Sequence, residues 1–291
     1  MNNSQWKNSG DRRARKERLF KGFAVGLTTF SLVILVVLVG QVVLAGFPYL
    51  SLDFLTRFPS RFAHKAGIKS ALAGSFWLMG LVFLISVPLG IASAIYLEEY
   101  NRKGKLSRFI ELNIANLAGV PSIVYGILGL AVFVRFFHLQ RSLLAGALTM
   151  SLLILPVIII AAREAIRAVP KNIRLGAYAL GATRWQTVIH HVLPAAAPGI
   201  LTGVILAMSR ALGETAPLIM IGALTYVAFV PAGPLDSFTA LPIQIFNWAS
   251  RPQAEFHAAA AAGIIVLLIF LLVLNSAAVG LRHWASKKIR W

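Results

Sequence analysis

Arg210 and Glu214 stand four residues apart inside an apolar run long enough to cross a bilayer. On a helix this spacing puts them on one face, about 6 Å apart along the axis. Counted from Pro198, Arg210 lies roughly 18 Å along the helix, near the midplane of a hydrocarbon layer about 30 Å thick. A charge at that depth is expensive, so both groups must face a bundle interior or a water path. A guanidinium stays charged at physiological pH and offers a planar fork of donors that fits a tetrahedral oxyanion such as phosphate. Glu214 opposes such an anion. Two readings follow. The pair is a gate, in which an anion competes with Glu214 or a partner subunit's acid for Arg210, or it is an ion pair that only fixes helix packing. Ser209 and Thr215 flank it and either line the same path or bond to their own helix.

Other chemistries find no residues to carry them. The chain has no cysteine, hence no thiol or disulfide chemistry. It has no GxxxxGK[ST] phosphate loop, so it is not expected to hydrolyse ATP itself. No acid pair or nucleophile constellation suggests a catalytic residue, and no cofactor is implied. His190 and His191 are adjacent, so on a helix they face different ways and make a poor metal pair. The expectation is a non-catalytic protein whose energy comes from elsewhere.

The elements that must position these groups are membrane helices. The chain is 58% apolar and 13% charged, with mean hydropathy +0.75; soluble domains carry about 25% charged residues. Six runs are long enough to span: residues 19–44, 71–97, 109–134, 142–162, 195–224 and 256–281. Lipid cannot satisfy backbone groups, and the runs lack the alternation of barrel strands, so an all-α polytopic fold with six transmembrane helices is expected. With the N-terminus inside, the cytoplasmic segments hold 20 Lys and Arg and the outer ones 7, a bias that puts both termini in the cytoplasm. The net charge of +18 is then topogenic and lipid-facing, with no nucleic-acid role. The first run is too long for a signal-peptide core and is read as an uncleaved anchor. The organisation is a basic tail (1–22), one six-helix domain (23–281) and a second basic tail (282–291).

Between the fourth and fifth runs lies a 32-residue cytoplasmic segment, 163–194. Pro170 interrupts the fourth helix. Asn172 is placed to cap a short helix whose Ile173, Ala177 and Leu180 share a face. Gly181 suits a left-handed helix end. Thr183 and Gln186 have the spacing of a capping box that opens a second helix. Short helices exposing Tyr178, Leu180 and Trp185 are unstable alone and need a groove to dock in, or else lie flat on the membrane.

The stretch AYALGATRWQTVIHHVLP resembles the EAA loop of ABC importer permeases, with Gly181 as its central glycine and Leu193-Pro194 as its terminal pair. It departs from that pattern at Leu175 and Gly176, where the motif has Glu and Ala, and at His191, where it has Ile. NLAGVPSIVYGILGL, RALGETAPLI and ALPIQIFNWASRPQAEFHAAAAAG are similar to the phosphate-specific branch of these permeases, the PstA and PstC type. The resemblance covers about residue 70 to the end. It implies a type I (MetI-like) permease fold in a bacterial inner membrane, importing inorganic phosphate. It also implies a second, PstC-like permease, a PstB-like ATPase dimer and a PstS-like periplasmic phosphate-binding protein. Coupling to the ATPase is assigned by that likeness to Ala177, Tyr178, Leu180, Gly181, Ala182, Thr183 and Trp185. Another oxyanion, or a secondary transporter or channel, remains as an alternative. Outside, residues 47–69 with Phe54, Phe58 and Phe62 at four-residue spacing read as a short surface helix, and 226–251 as a rigid loop suited to docking a binding protein.

Overall fold

A computed structural model describes residues 3–101, 104–223 and 226–287, with side chains omitted at 3–15, 106, 281 and 284–287. The basic residues at 102–103 and 288–291, and the Leu224 end of the fifth apolar run, lie outside the described residues. The helices in chain order are α1 (Asn3–Gly46), α2 (Leu52–Thr56), α3 (Lys69–Ile95), α4 (Lys105–Ala118), α5 (Ser122–Gly129) and α6 (Leu143–Arg167). They continue with α7 (Lys171–Ala179), α8 (Arg184–Thr187), α9 (Leu193–Gly213), α10 (Ala216–Met220), α11 (Leu241–Ala249) and α12 (Ala254–Lys287). No strand occurs among the described residues; a single bridge joins Ser142 to Ser237.

Among the described residues five helices are long and apolar enough to span, and a bent pair, Ser107–Ala118 with Ser122–Phe136, makes six if it is one span. The core is α6, packed between α3 and α9, with α12 beyond α9 and α1 outermost against α12. Lipid tails are as apolar as leucine, so close approach rather than water exclusion selects such contacts. Gly199 and Gly203 provide it on α9. A Cβ on Gly199 would lie 2.8 Å from the Ala165 Cβ of α6, and Gly203 packs on Ala161 in the same way. The equally spaced Gly22 and Gly26 of α1 meet nothing within 4 Å.

Four sequence expectations are corrected. The run 109–134 is not one helix: Pro121 cannot donate to the preceding turn, the chain bends by 102° there, and α4 lies across α5. The run 195–224 ends its long helix at Gly213; Glu214 is extended (ψ 121°), and a new short helix starts after Thr215. The outer segment 47–69 forms three short pieces rather than one helix, with Phe54 buried against Trp248. The outer loop 226–251 carries α11, which dips into the bundle, where Leu241 N–H donates to Ser75 Oγ (2.8 Å) and Trp248 is fully buried.

Overpacking a helix seam costs about 1–3 kcal/mol. Gly199→Leu should therefore lower the thermal unfolding midpoint in detergent, whereas Gly26→Leu should leave it unchanged.

Candidate functional site: an interrupted helix and a glycine elbow

Arg210 is in the last turn of α9, where a cation favours the helix C-terminus, and Glu214 follows at the cap. Arg210 Nε donates to Glu214 Oε1 at 3.3 Å, with the Arg210 side chain 48% exposed. The pair therefore forms, but across a helix end rather than along a continuous helix. The bond engages Nε and not the terminal fork. A single half-exposed contact of this kind is weak and readily exchanged.

A second interruption faces the first. Tyr125 on α5 donates its hydroxyl to the Leu117 carbonyl at the end of α4 (2.8 Å), bridging the Pro121 bend, and lies within electrostatic reach of Arg210. Gly126 lets α5 press onto α10, where a Cβ would come 2.8 Å from the Pro217 Cα. Backbone freed from a helix at membrane depth is tolerated where it is buried in protein or lines a water-filled cavity. Thr215 lies in the break, part-buried, and its carbonyl accepts from Ile219 N–H (3.1 Å). Ser209 is drawn elsewhere: it donates to the Ile205 carbonyl (2.8 Å) and lies 2.6 Å from the Asn275 side-chain oxygen on α12. Tyr125 and Asn275 were not singled out in the sequence, although each is a polar group in an apolar run.

The segment after α6 folds as a helix, a glycine turn and a second helix. Gly181 has φ +83° in open space, so its conformation rather than crowding requires glycine. Thr183 and Gln186 form the expected capping box. The helix α8 continues through a π-helical turn, Val188–Val192, directly into α9. Asn172 does not cap α7; Pro170 occupies the cap and supplies the fixed φ that starts the helix. Leu180 does not share the face of Ile173 and Ala177, because α7 ends at Ala179. Ala177 is buried, whereas Leu180 is 91% exposed. Tyr178, Gly181, Thr183 and Trp185 are exposed and Ala182 is part-buried.

Behind the elbow is an ion-pair network that the sequence reading missed. The α3 helix ends in a π-helical turn, Tyr96–Tyr100. Glu98 there accepts from Arg167 Nε (3.0 Å) and Nη2 (3.0 Å) and from Arg163 Nη2 (3.4 Å). Arg163 also pairs with Glu111 of α4 at 2.9 Å. Glu99 accepts from Arg174 on α7, at 3.0 Å from Nε and 2.6 Å from Nη2. A cavity of about 380 Å3 lies alongside, lined by Glu98, Glu99, Arg167, Lys171, Arg174, Leu175 and Tyr178. Its signal in the sequence was an acidic pair at one helix end opposite a basic segment; only three-dimensional pairing gives the partners.

Residues 86–291 match the family of binding-protein-dependent transport system inner membrane components. The chain belongs to that family. This inner-membrane component is 36% identical over 270 residues to the probable ABC transporter permease protein YqgI of Bacillus subtilis (strain 168), covering 88% of the chain and 91% of YqgI. It is 34% identical over 236 residues to the phosphate transport system permease protein PstA 1 of Mycobacterium tuberculosis (strain ATCC 25618 / H37Rv), covering 80% and 74%. Among solved structures it is similar to a bacterial alginate ABC transporter in complex with an alginate pentasaccharide-bound periplasmic protein. There the TM-score is 0.67 and the identity 17%, over 91% of this chain and 93% of that one. The MetNI methionine ABC transporter gives a TM-score of 0.58 at 20% identity, over 75% and 94%. The fold is that of the type I, MetI-like importer permeases.

A residue forced into left-handed backbone costs about 1–2 kcal/mol outside glycine. Gly181→Val should accordingly speed amide hydrogen exchange through α7 and α8 and leave the exchange of α6 unaltered.

Proposed function

We propose that this chain is one permease subunit of an ATP-driven importer of inorganic phosphate, forming half of the pathway with a PstC-like second permease. Its further partners in this reading are a PstB-like ATPase dimer inside the cell and a PstS-like phosphate-binding protein outside. The single observation that carries the proposal is the Arg210–Glu214 contact, a lone 3.3 Å bond at the break of a spanning helix. Relatives named as phosphate transport permeases, including those of Haemophilus influenzae and Pasteurella multocida at 33% identity, support the choice of anion.

Arg210 and Glu214 are the gate in this mechanism. With no substrate, Glu214 holds the guanidinium through Nε; phosphate entering from outside takes the unoccupied terminal fork, competes for the charge, and Glu214 swings free. Thr215 borders the path at the break, and Ser209 positions α9 against α12. The interruption at Pro121 supplies the second wall, with Tyr125 holding its ends together.

The elbow is the ATPase-coupling element. Tyr178, Leu180 and Trp185 enter a groove on the ATPase, Gly181 with Ala182 and Thr183 sets the angle between the two short helices, and buried Ala177 seats the first helix on the bundle. ATP binding draws the ATPase subunits together, and α8 carries the motion into α9 because the helix is continuous. The chain itself holds no reacting group in this scheme. The basic tails, 1–22 and 282–291, lie with the elbow on the cytoplasmic side of the inner membrane.

The test is uptake of radiolabelled phosphate by the co-expressed complex. Arg210→Lys keeps the charge and loses the fork, and should reduce uptake by roughly tenfold or more. Unchanged uptake would remove the guanidinium from the pathway. A photo-crosslinker at Trp185 should capture an ATP-hydrolysing subunit.

A further inference from the structure

We infer that three consecutive residues, Glu98, Glu99 and Tyr100, form a receiving hub through which the elbow moves α3, a helix it is not covalently joined to. The inference rests on the ATPase-coupled reading above. Each hub residue holds a cation from a different element. Glu98 takes Arg167 from the end of α6, Glu99 takes Arg174 from α7, and the Tyr100 ring lies 5.7 Å from the guanidinium carbon of Arg184 in α8. The π-helical turn makes this possible: its wider winding ends α3 and carries the three side chains toward separate neighbours.

Arg174 is the fastening point. Its Nε and Nη2 bond Glu99, and it also donates to the Val169 carbonyl (2.8 Å, from Nη1) and the Ile166 carbonyl (2.9 Å, from Nη2). Those carbonyls belong to the end of α6 and the turn after it, where a helix leaves acceptors unsatisfied. One guanidinium thereby ties α6, α7 and α3 together. The pair is well covered, with side-chain exposure of 16% for Arg174 and 7% for Glu99. Removing one partner of a covered pair leaves the other charge without compensation. Such a pair transmits displacement, because separating it is costly. The Arg210 contact, half exposed, has the opposite property.

Glu99 and Arg174 are positioning residues: they touch neither substrate nor nucleotide. A fastening that transmits force predicts uncoupling, whereas a purely structural one predicts loss of both activities in step. In the full complex, reconstituted with its binding protein, Glu99→Gln should cut phosphate uptake by roughly tenfold while ATP hydrolysis stays within about twofold of the parent. Arg174→Lys, which keeps the charge and loses the fork, should give the same split more mildly, and Glu99→Asp should restore coupling toward the parent ratio. Unchanged uptake per ATP in both Glu99→Gln and Arg174→Lys would overturn the hub, and so would a proportional fall in uptake and hydrolysis in an intact complex. If the parent complex itself shows no ATP-dependent phosphate uptake, the coupled reading falls and takes the hub with it.

Discussion

The bilayer offers no hydrogen bonds, and every departure from a continuous helix in this chain has to be repaired from within. At the Pro121 bend the Leu117 carbonyl is met twice, by Val120 N–H at 3.1 Å and by the Tyr125 hydroxyl at 2.8 Å. At the Glu214 break, Glu214 N–H reaches back to Ala211 and Ile219 N–H to Thr215. At the outer end, Ser75 receives the first N–H of α11. These repairs are not scattered over the fold. The breaks at Pro121 and Glu214 lie across the α5–α10 contact from one another, and in the proposed mechanism that is where the pathway takes walls of polar backbone rather than leucine.

The charged groups divide into two populations by burial, and the division follows their proposed work. At the end of α9, Arg210 is half exposed and shares one long contact with Glu214, which in the proposed mechanism is exchanged for an incoming anion. Behind the Gly181 elbow, Glu98, Glu99, Arg163 and Arg174 are covered and multiply bonded. A loose pair where a solute must pass and tight pairs where helices must stay joined are the two ways electrostatics can serve one machine. Covered ion pairs contribute little net stability but are costly to half-remove, which suits mechanical continuity better than fold maintenance.

Much of this was legible from residue order alone because the signals are one-dimensional. Apolar runs of membrane length, the Gly181 turn and the Thr183–Gln186 box each depend on residues close to one another in the chain. The bends were only half legible: Pro121 announced a break, but not its angle, which is set by how α5 meets α10. The α9 break at Glu214 had its marker in Pro217, whose ring excludes a helical carbonyl at Gly213 four residues back, but the extended residue and the fresh helix start between them are set by packing. Leu180 was misplaced because a face was extended by one residue beyond the true helix end. Glu98 and Glu99 were invisible as partners of Arg167 and Arg174, about seventy residues away, because pairing across that separation is decided by packing. Residue by residue, then, Arg210 and Glu214 could be found by their cost in lipid, whereas Tyr125 and Asn275 needed neighbours to acquire meaning.

The first helix touches the rest of the protein sparingly. Gly46 lets it approach closely, where a Cβ would come 2.6 Å from the backbone of Ala261 and Ala262, and its described side chains present mostly Leu, Val, Ile and Phe outward. A member attached at one crossing contributes little to the architecture it leans on. Among the described residues the helices α3, α6 and α9 close their seams with one another, and α1 leans chiefly on α12, so its outward apolar face is left for a surrounding medium or neighbour to cover.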